Sequence, residues 1–283
     1  MPFIDLHTHS TRSDGTYTPA ELVHYAVEKG LSSIALTDHD TIDGIDEALA
    51  AAKNLSIEVI PGIEYSTEYQ NRDVHIVGLF IDYKSPAFQN YLTKFMQSRT
   101  DRNHKLCANL QNAGIDITYE ALLAQFPDSV ITRAHYAAYL LENGYVKSRN
   151  EAFDRYLGDH TPYFVHREKI TPEEVITVTR QAGGIPILAH PTLYKLGKEQ
   201  LDILVSTLKE NGLMGIECLY STYTAQDERN IKALAKKYDL LASGGSDFHG
   251  AAKPGLDLGT GYGKLQIPDT ILTALRKAKN NAI

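Results

Sequence analysis

Seven short apolar runs alternate with amphipathic stretches along this chain, and six of the seven end at or beside a His, Asp or Glu. The runs fall at 3–9, 31–38, 57–64, 74–81, 185–189, 214–220 and 240–246, and they predict strands. The stretches at 18–30, 45–54, 171–184, 199–211, 225–238 and 268–279 predict helices. Thr18-Pro19-Ala20-Glu21 is a capping box with proline in the first turn, and Gly30 closes that helix. Strands alternating with helices cover both faces of a sheet, so the expected fold is α/β, a mostly parallel seven-stranded barrel, closed or nearly so. Such barrels place their working groups at the carboxyl ends of the strands, where His9, Asp38-His39, Glu64, His190 and Asp247-His249 fall. His75 lies near the start of its strand and reaches the same rim only if that strand runs antiparallel or is offset.

Between about 99 and 165 the pattern changes to helices at 118–126, 131–143 and 150–157, with no strand candidate among them. The expected organisation is a barrel in two parts, 1–98 and 166–283, interrupted by a helical insert at 99–165 that forms a cap. The insert carries Arg99, Arg102, Arg133, His135, Arg149 and Arg155, with Arg167 just beyond. A solvated helix face is the ordinary role of any one arginine. Arg133 and His135 are singled out as substrate contacts because they fall at a helix start, where free N–H groups and the helix dipole favour an anion.

The 283 residues, 43% of them hydrophobic, suffice for one domain with a large core. No apolar run approaches the roughly 18 residues that span a bilayer, and no basic segment followed by an apolar one opens the chain, which predicts a cytoplasmic protein without a membrane partner. Cys107 and Cys218 stand far apart, which predicts buried thiols in a reducing compartment and no thiolate metal ligand. A net charge of −7 speaks against a basic groove for extended duplex nucleic acid. It does not exclude phosphate chemistry, because bound divalent cations dominate the field at their own site.

The His/Asp/Glu clusters point to such cations. On a strand, residues two apart face the same way, so His7 and His9 converge. Asp38-His39-Asp40 sits at a strand-to-loop junction, where turn formation is the plain alternative. Glu64 follows the apolar run Val59-Ile60-Pro61-Gly62-Ile63, and a carboxylate there suits a bridge between two ions. His190 before Pro191 ends a strand, and a buried imidazole bonded to backbone is its alternative. Gly244-Gly245-Ser246-Asp247-Phe248-His249 joins tight-turn glycines to two ligand types two residues apart. Five clusters on one rim make independent packing explanations hard to sustain.

Asp5-Leu6-His7-Thr8-His9-Ser10 with Ser13-Asp14-Gly15, Thr37-Asp38-His39-Asp40, Pro61-Gly62-Ile63-Glu64, His190-Pro191 and Gly245-Ser246-Asp247-Phe248-His249 together resemble the PHP (polymerase and histidinol phosphatase) superfamily over essentially the whole chain. The run from Ser13 to Pro19 and the inserted Thr132-Arg133-Ala134-His135 look like its TrpH/YciV-type branch, metal-dependent phosphoesterases acting on nucleoside 3',5'-bisphosphates and on short or 5'-phosphorylated RNA ends. The resemblance implies a distorted (β/α)7 barrel with a trinuclear site. His7, His9, Glu64 and Asp247 would hold one ion, Glu64, His75 and His190 a second, and Asp14, His39 and His249 the third. Asp38 and Asp40 would support neighbouring ligands. Ala134 and His166 stand where that branch carries proline, departures that bear on substrate contacts and not on metals.

Imidazole and carboxylate ligands suit two or three ions of manganese, iron or zinc better than calcium. Carboxylate-bridged ions would activate a shared water, held by Glu64 and Asp247, for in-line attack on phosphorus. Arg133 and His135 would grip a phosphate or protonate the departing oxygen of a small nucleotide or short oligonucleotide end. Three other readings are a histidinol-phosphate phosphatase, a metal-dependent C–N hydrolase and a non-catalytic interaction module. The insert's placement and Ser13-Asp14-Gly15 stand against the first, Glu64 in place of a bridging lysine against the second, and the intact ligand set against the third.

Overall fold

The computed structural model describes residues 2–165 and 170–281; His166 and Arg167 lie outside the described residues. One sheet runs in chain order through β1 (Phe3–Thr8), β2 (Leu31–Leu36), β3 (Glu58–Tyr69), β4 (Arg72–Leu79), β5 (Ile185–Leu188), β6 (Gly215–Tyr220) and β7 (Leu241–Gly245). The helices are α1 (Pro19–Glu28), α2 (Ile45–Ala52), α3 (Pro86–Asn112), α4 (Tyr119–Gln125), α5 (Arg133–Glu142), α6 (Arg149–Ala152), α7 (Pro172–Gln181), α8 (Lys198–Glu210), α9 (Ala225–Lys237) and α10 (Thr270–Asn281). Thr18 and Glu21 make the reciprocal cap that opens α1.

β1, β2 and β3 are parallel, as are β5, β6 and β7, while β4 runs antiparallel to both of its neighbours. The seam between β1 and β7 closes at the rim, where the His9 N–H donates to the Phe248 carbonyl at 2.9 Å and the Asp247 N–H to the His7 carbonyl at 2.9 Å. The reversal of β4 settles the position of His75. It pairs with Ser66, so the start of β4 lies beside the late part of β3. β3 continues past Glu64 to Tyr69, and Gln70 and Asn71, with φ of 49° and 62°, form a two-residue hairpin turn whose hand suits the strand twist.

α3 is a 27-residue helix that the sequence pattern does not announce, and it runs unbroken through the 98/99 position at which the sequence places the start of the insert. Its buried stripe is Phe88, Leu92, Phe95, Arg99, Asn103, Leu106 and Leu110, a regular helical spacing in which two polar residues interrupt the apolar signal. Leu106, Leu110, Ile117, Leu122, Tyr136, Leu140 and Leu157 form a hydrophobic cluster of the insert's own. At the end of the barrel opposite the rim, α10 packs Leu272 and Leu275 against Ile4, Ile60 and Ile187. Its Arg276 pairs with Glu58 at the start of β3, and its Lys279 donates to the Phe80 carbonyl just after β4. Cys107 and Cys218 are buried and unpaired. Among the described residues, no helix is long and apolar enough to cross a membrane.

Candidate metal centre

The nine residues expected as ligands meet at one rim, around the fully buried carboxylate of Glu64. Its Oε2 lies 3.2 Å from His7 Nε2, 3.2 Å from His9 Nε2 and 3.1 Å from His39 Nδ1. Its Oε1 lies 2.9 Å from His75 Nδ1 and 3.0 Å from His190 Nε2. Asp247 Oδ1 stands 3.2 Å from His9 Nε2, and Asp14 Oδ1 stands 3.2 Å from His249 Nε2 and 3.9 Å from His39 Nε2. Among the described residues, three groups are tight enough to share an ion: His7, His9, Glu64 and Asp247; His9, Asp14, His39 and His249; and His39, Glu64 and His75. His190 belongs to none of these groups and meets the cluster through Glu64 and through its ring contacts with His7 and His75. Burial pushes the Glu64 carboxyl up, but His7, His39 and His75 outweigh it and hold the group well below the carboxylate range. Asp247 is likewise held low, against burial, by Lys253, His249 and His7.

The residues behind the cluster fix its ring orientations. Glu217 on β6, absent from the sequence-based set, takes His7 Nδ1 at 2.9 Å and the His190 backbone N–H at 2.6 Å. With the Nδ1 proton assigned to that bond, the Nε2 lone pair of His7 faces Glu64 and Asp247. His249 Nδ1 is 2.8 Å from the Asp247 carbonyl, which turns its Nε2 toward Asp14. Asp247 Oδ2 accepts from Tyr220 at 2.6 Å and from Lys253 Nζ at 2.5 Å. Asp38 ties down the loop between His9 and Asp14, accepting from the Ser10 N–H and from the Ser10 and Ser13 hydroxyls. Asp40 takes the Ser66 N–H and the Arg99 guanidinium. Asp38 thus acts on the loop that carries Asp14, while Asp40, expected to support a neighbouring ligand, bonds Ser66 and Arg99 instead. His190 and Asp247 hold φ of 26° and 58°, conformations that side chains adopt rarely and that recur at functional sites.

His7 Nε2, His9 Nε2, His39 Nδ1, Asp14 Oδ1 and Glu64 Oε2 are buried without a hydrogen-bond partner. Burying that many unsatisfied polar atoms face to face is costly unless something binds all of them at once, and divalent cations do. A donor set of imidazoles and carboxylates without thiolate fits manganese, iron or zinc.

The profile of the PHP domain matches residues 5–158. A 5'-3' exoribonuclease of Haemophilus influenzae is 41% identical over 87% of this chain and 89% of its own length. The chain belongs to the PHP domain family. A 3',5'-nucleoside bisphosphate phosphatase of Chromobacterium violaceum is 34% identical over 92% of this chain and 91% of its own. These relatives agree with the TrpH/YciV-type branch that the motifs resemble. Among solved structures, a Chromobacterium violaceum protein described as an amidohydrolase superposes with a TM-score of 0.86 at 33% identity, covering 98% of this chain and 96% of its own. A candidate metal-dependent phosphoesterase from Bifidobacterium adolescentis gives 0.84 at 29% identity over 97% and 95%.

In this PHP-family chain a cavity of about 220 Å³ opens over the cluster, with Asp14, His39, His75, His249 and Lys253 on its floor. The β3–β4 hairpin supplies Glu68 and Asp73 to its wall, and the insert supplies Arg99, Arg102, Arg133, Phe153 and Phe164. Arg133 does line this cavity, but its guanidinium is paired with Asp73 and lies 5.4 Å from the Phe164 ring centre. His135 lines an adjacent recess with Asp14 and Arg149. Its Nδ1 accepts the Thr132 N–H at 3.0 Å, so that nitrogen caps α5 and is committed to it. Arg99 is a buried strut: it holds Asp40, Ser66 and the Ile131 carbonyl together. Lys253 and Asp73 carry no motif in the sequence and come to the site only through the fold.

Proposed function

We propose that this chain hydrolyses phosphate esters of small nucleotides, nucleoside 3',5'-bisphosphates or short 5'-phosphorylated RNA ends, using two or three divalent ions held at the rim cluster. The observation that carries the reading is the convergence of five imidazoles on Glu64, with ligand atoms buried and unsatisfied. The names of the matching relatives point to the same substrate class. His7, His9, Glu64 and Asp247 would hold one ion, Glu64, His75 and His190 another, both imidazoles lying against Glu64 Oε1, and Asp14, His39 and His249 a third, with His9 and His39 each placed to serve two groups. Bound there, such ions would polarise a phosphoryl oxygen and make a water acidic enough to ionise near neutral pH.

The chain's own groups do the rest. Glu217 keeps the proton on Nδ1 of His7, and Tyr220 and Lys253 fix the Asp247 carboxylate, so both ligands point without reorganising. Glu64 and Asp247 lie buried beside the His39 and His249 that line the cavity, and Lys253, also on its lining, adds a positive charge where phosphate oxygens would lie. The insert at 99–165 acts as a cap that limits water and substrate size, with Arg133 on its cavity face. A reducing, cytoplasmic setting suits the unpaired buried Cys107 and Cys218.

The test is phosphate release by manganese-reconstituted protein from adenosine 3',5'-bisphosphate and mononucleotide release from a 5'-phosphorylated oligoribonucleotide, with histidinol phosphate alongside. Metal content is measured in the wild type and in Glu64→Gln. Turnover of either nucleotide substrate, lost together with metal in the variant, is expected. Preference for histidinol phosphate, or metal-loaded protein that turns over none of the three, refutes the proposal.

A further inference from the structure

The pairing of β4 with β5 changes character at the rim. The ladder joins Ile76 to Leu188, and the next pair in register is His75 with Ala189. The Ala189 N–H donates to the His75 carbonyl at 3.1 Å, as a regular ladder requires. The return bond, from the His75 N–H toward the Ala189 carbonyl, runs through the phenol of Tyr194 instead. The phenol oxygen accepts the His75 N–H at 3.1 Å and donates its own proton to the Ala189 carbonyl, with the His75 carbonyl 3.2 Å away. An antiparallel pair that exchanges both bonds directly holds its backbones at a fixed spacing. A hydroxyl set into one of the two bonds wedges the strands apart at His75 and just before His190.

Tyr194 is itself fixed. It is buried at the end of the short helical turn Pro191–Tyr194 that follows His190, and its carbonyl accepts from Arg72 Nη1, at the start of β4, at 3.4 Å. Its ring centre lies 5.9 Å from that of His190. His190 Nε2 and His75 Nδ1 approach the same Glu64 oxygen, yet among the described residues the two imidazoles share no tight ligand group.

We propose that Tyr194 is a positioning residue for one ion of the centre, the one between His75 and His190, and that its hydroxyl sets how tightly that ion is held by setting the separation of the two imidazoles. The inference rests on the metal-centre reading and deepens it. The hydrogen bonds of Tyr194 go to His75, Ala189 and Arg72, so the groups built on Asp247 and on Asp14 keep their geometry without it. Without the hydroxyl, the His75 N–H either loses its partner or bonds Ala189 directly. The first outcome loosens the start of β4, the second draws the strands together, and neither preserves the spacing of the two rings.

Metal-stripped wild type, Tyr194→Phe, His75→Ala and the double variant are titrated with manganese, the bound ions counted by elemental analysis and their affinities read by calorimetry. His75→Ala identifies the ion in question by losing it. Tyr194→Phe should weaken that ion by about 10- to 100-fold and leave the others at wild-type affinity. Added to His75→Ala, it should then cost no further affinity, because the two changes act on one ion. A Tyr194 that serves only the stability of the barrel would weaken all ions alike or none, and either result overturns the proposal. Thermal melting of the metal-stripped proteins shows which variants fold. Should Tyr194→Phe not fold, Arg72→Gln releases the Tyr194 carbonyl while leaving the hydroxyl, and it should weaken the same ion to a lesser degree; unchanged binding there overturns the proposal as well. A manganese count that His75→Ala does not lower would also overturn it, by removing the ion it concerns. Protein that binds manganese in this pattern and turns over no nucleotide would sink the phosphoesterase reading alone and leave the role of Tyr194 standing.

Discussion

Replacing Glu217 by Gln tests whether a residue that touches no proposed ion controls the site. The wild-type carboxylate accepts two hydrogen bonds at once, from His7 Nδ1 at 2.9 Å and from the His190 N–H at 2.6 Å. Glutamine offers one acceptor and one donor, so either orientation breaks something. With its oxygen on His7, its NH2 group confronts the His190 N–H and leaves that buried donor unsatisfied, a loss of about 1–3 kcal/mol. With its oxygen on His190, the NH2 group faces His7 Nδ1. The imidazole must then move its proton to Nε2, where the lone pair that faces Glu64 and Asp247 was. In both cases the negative charge that made His7 a stronger donor is gone, and metal affinity should fall about 10- to 100-fold. Denaturant unfolding of metal-stripped protein gives the first quantity, and titration with manganese followed by elemental analysis gives the second. A Glu217→Gln protein with wild-type stability and wild-type affinity refutes the argument.

Further outcomes follow from the same geometry. A methyl group on Gly245 would overlap Cβ of His7 and stand 2.7 Å from its backbone nitrogen, so Gly245→Ala should lower stability by about 1–3 kcal/mol and reduce metal occupancy, read by thermal melting and elemental analysis. Arg99→Met takes the guanidinium away from Asp40 and the Ile131 carbonyl and should destabilise by about 3 kcal/mol or more, with limited proteolysis cutting the insert before the barrel. Burial lowers His135 from 6.5 to about 4, so the unfolded chain takes up a proton that the folded one refuses, and stability is lost as pH falls through that window. His135→Gln keeps the cap on α5 without titrating, and the wild-type minus variant stability difference should shift by up to about 3 kcal/mol between neutral pH and pH 4. A flat difference curve would show that His135 does not titrate as its burial requires.

The barrel and most of the candidate ligands were legible because both follow from short-range rules, whereas Asp14 entered only through the family resemblance and His75 waited on the direction of β4. Strand periodicity placed His7 with His9, and apolar runs ending in His, Asp or Glu marked the rim. Glu217 shows the limit: it sits in the apolar run Gly215–Tyr220 just as Glu64 sits in its own, and the same argument, that a carboxylate in such a run must be partnered, could have found it. Lys253 and Asp73 had no such signal, since ordinary exposed-looking charges acquire a role only when the barrel and the hairpin bring them to the cavity. The choice of Arg133 from among the insert's arginines came from its helix-start position. What pairs with Arg133 is Asp73, on a hairpin 60 residues away, and local sequence says nothing about that. α3 was hidden because Arg99 and Asn103 interrupt its buried stripe with residues that read as surface.

The seam between the first and last strands has a consequence for how the molecule is made. Glu64 and His75 belong to one hairpin and can meet as soon as that hairpin forms. His7 and His9 acquire Asp247 only when β7 docks on β1, a contact sealed by the Ser246 N–H on Asp5, 241 positions away. A chain still being synthesised therefore carries seven of the nine cluster residues once His190 is made, and lacks Asp247 and His249 until β7 has been added. The groups that include Asp247 and His249 are thus the last to be completed, and they form only once the final strand has folded back onto the first.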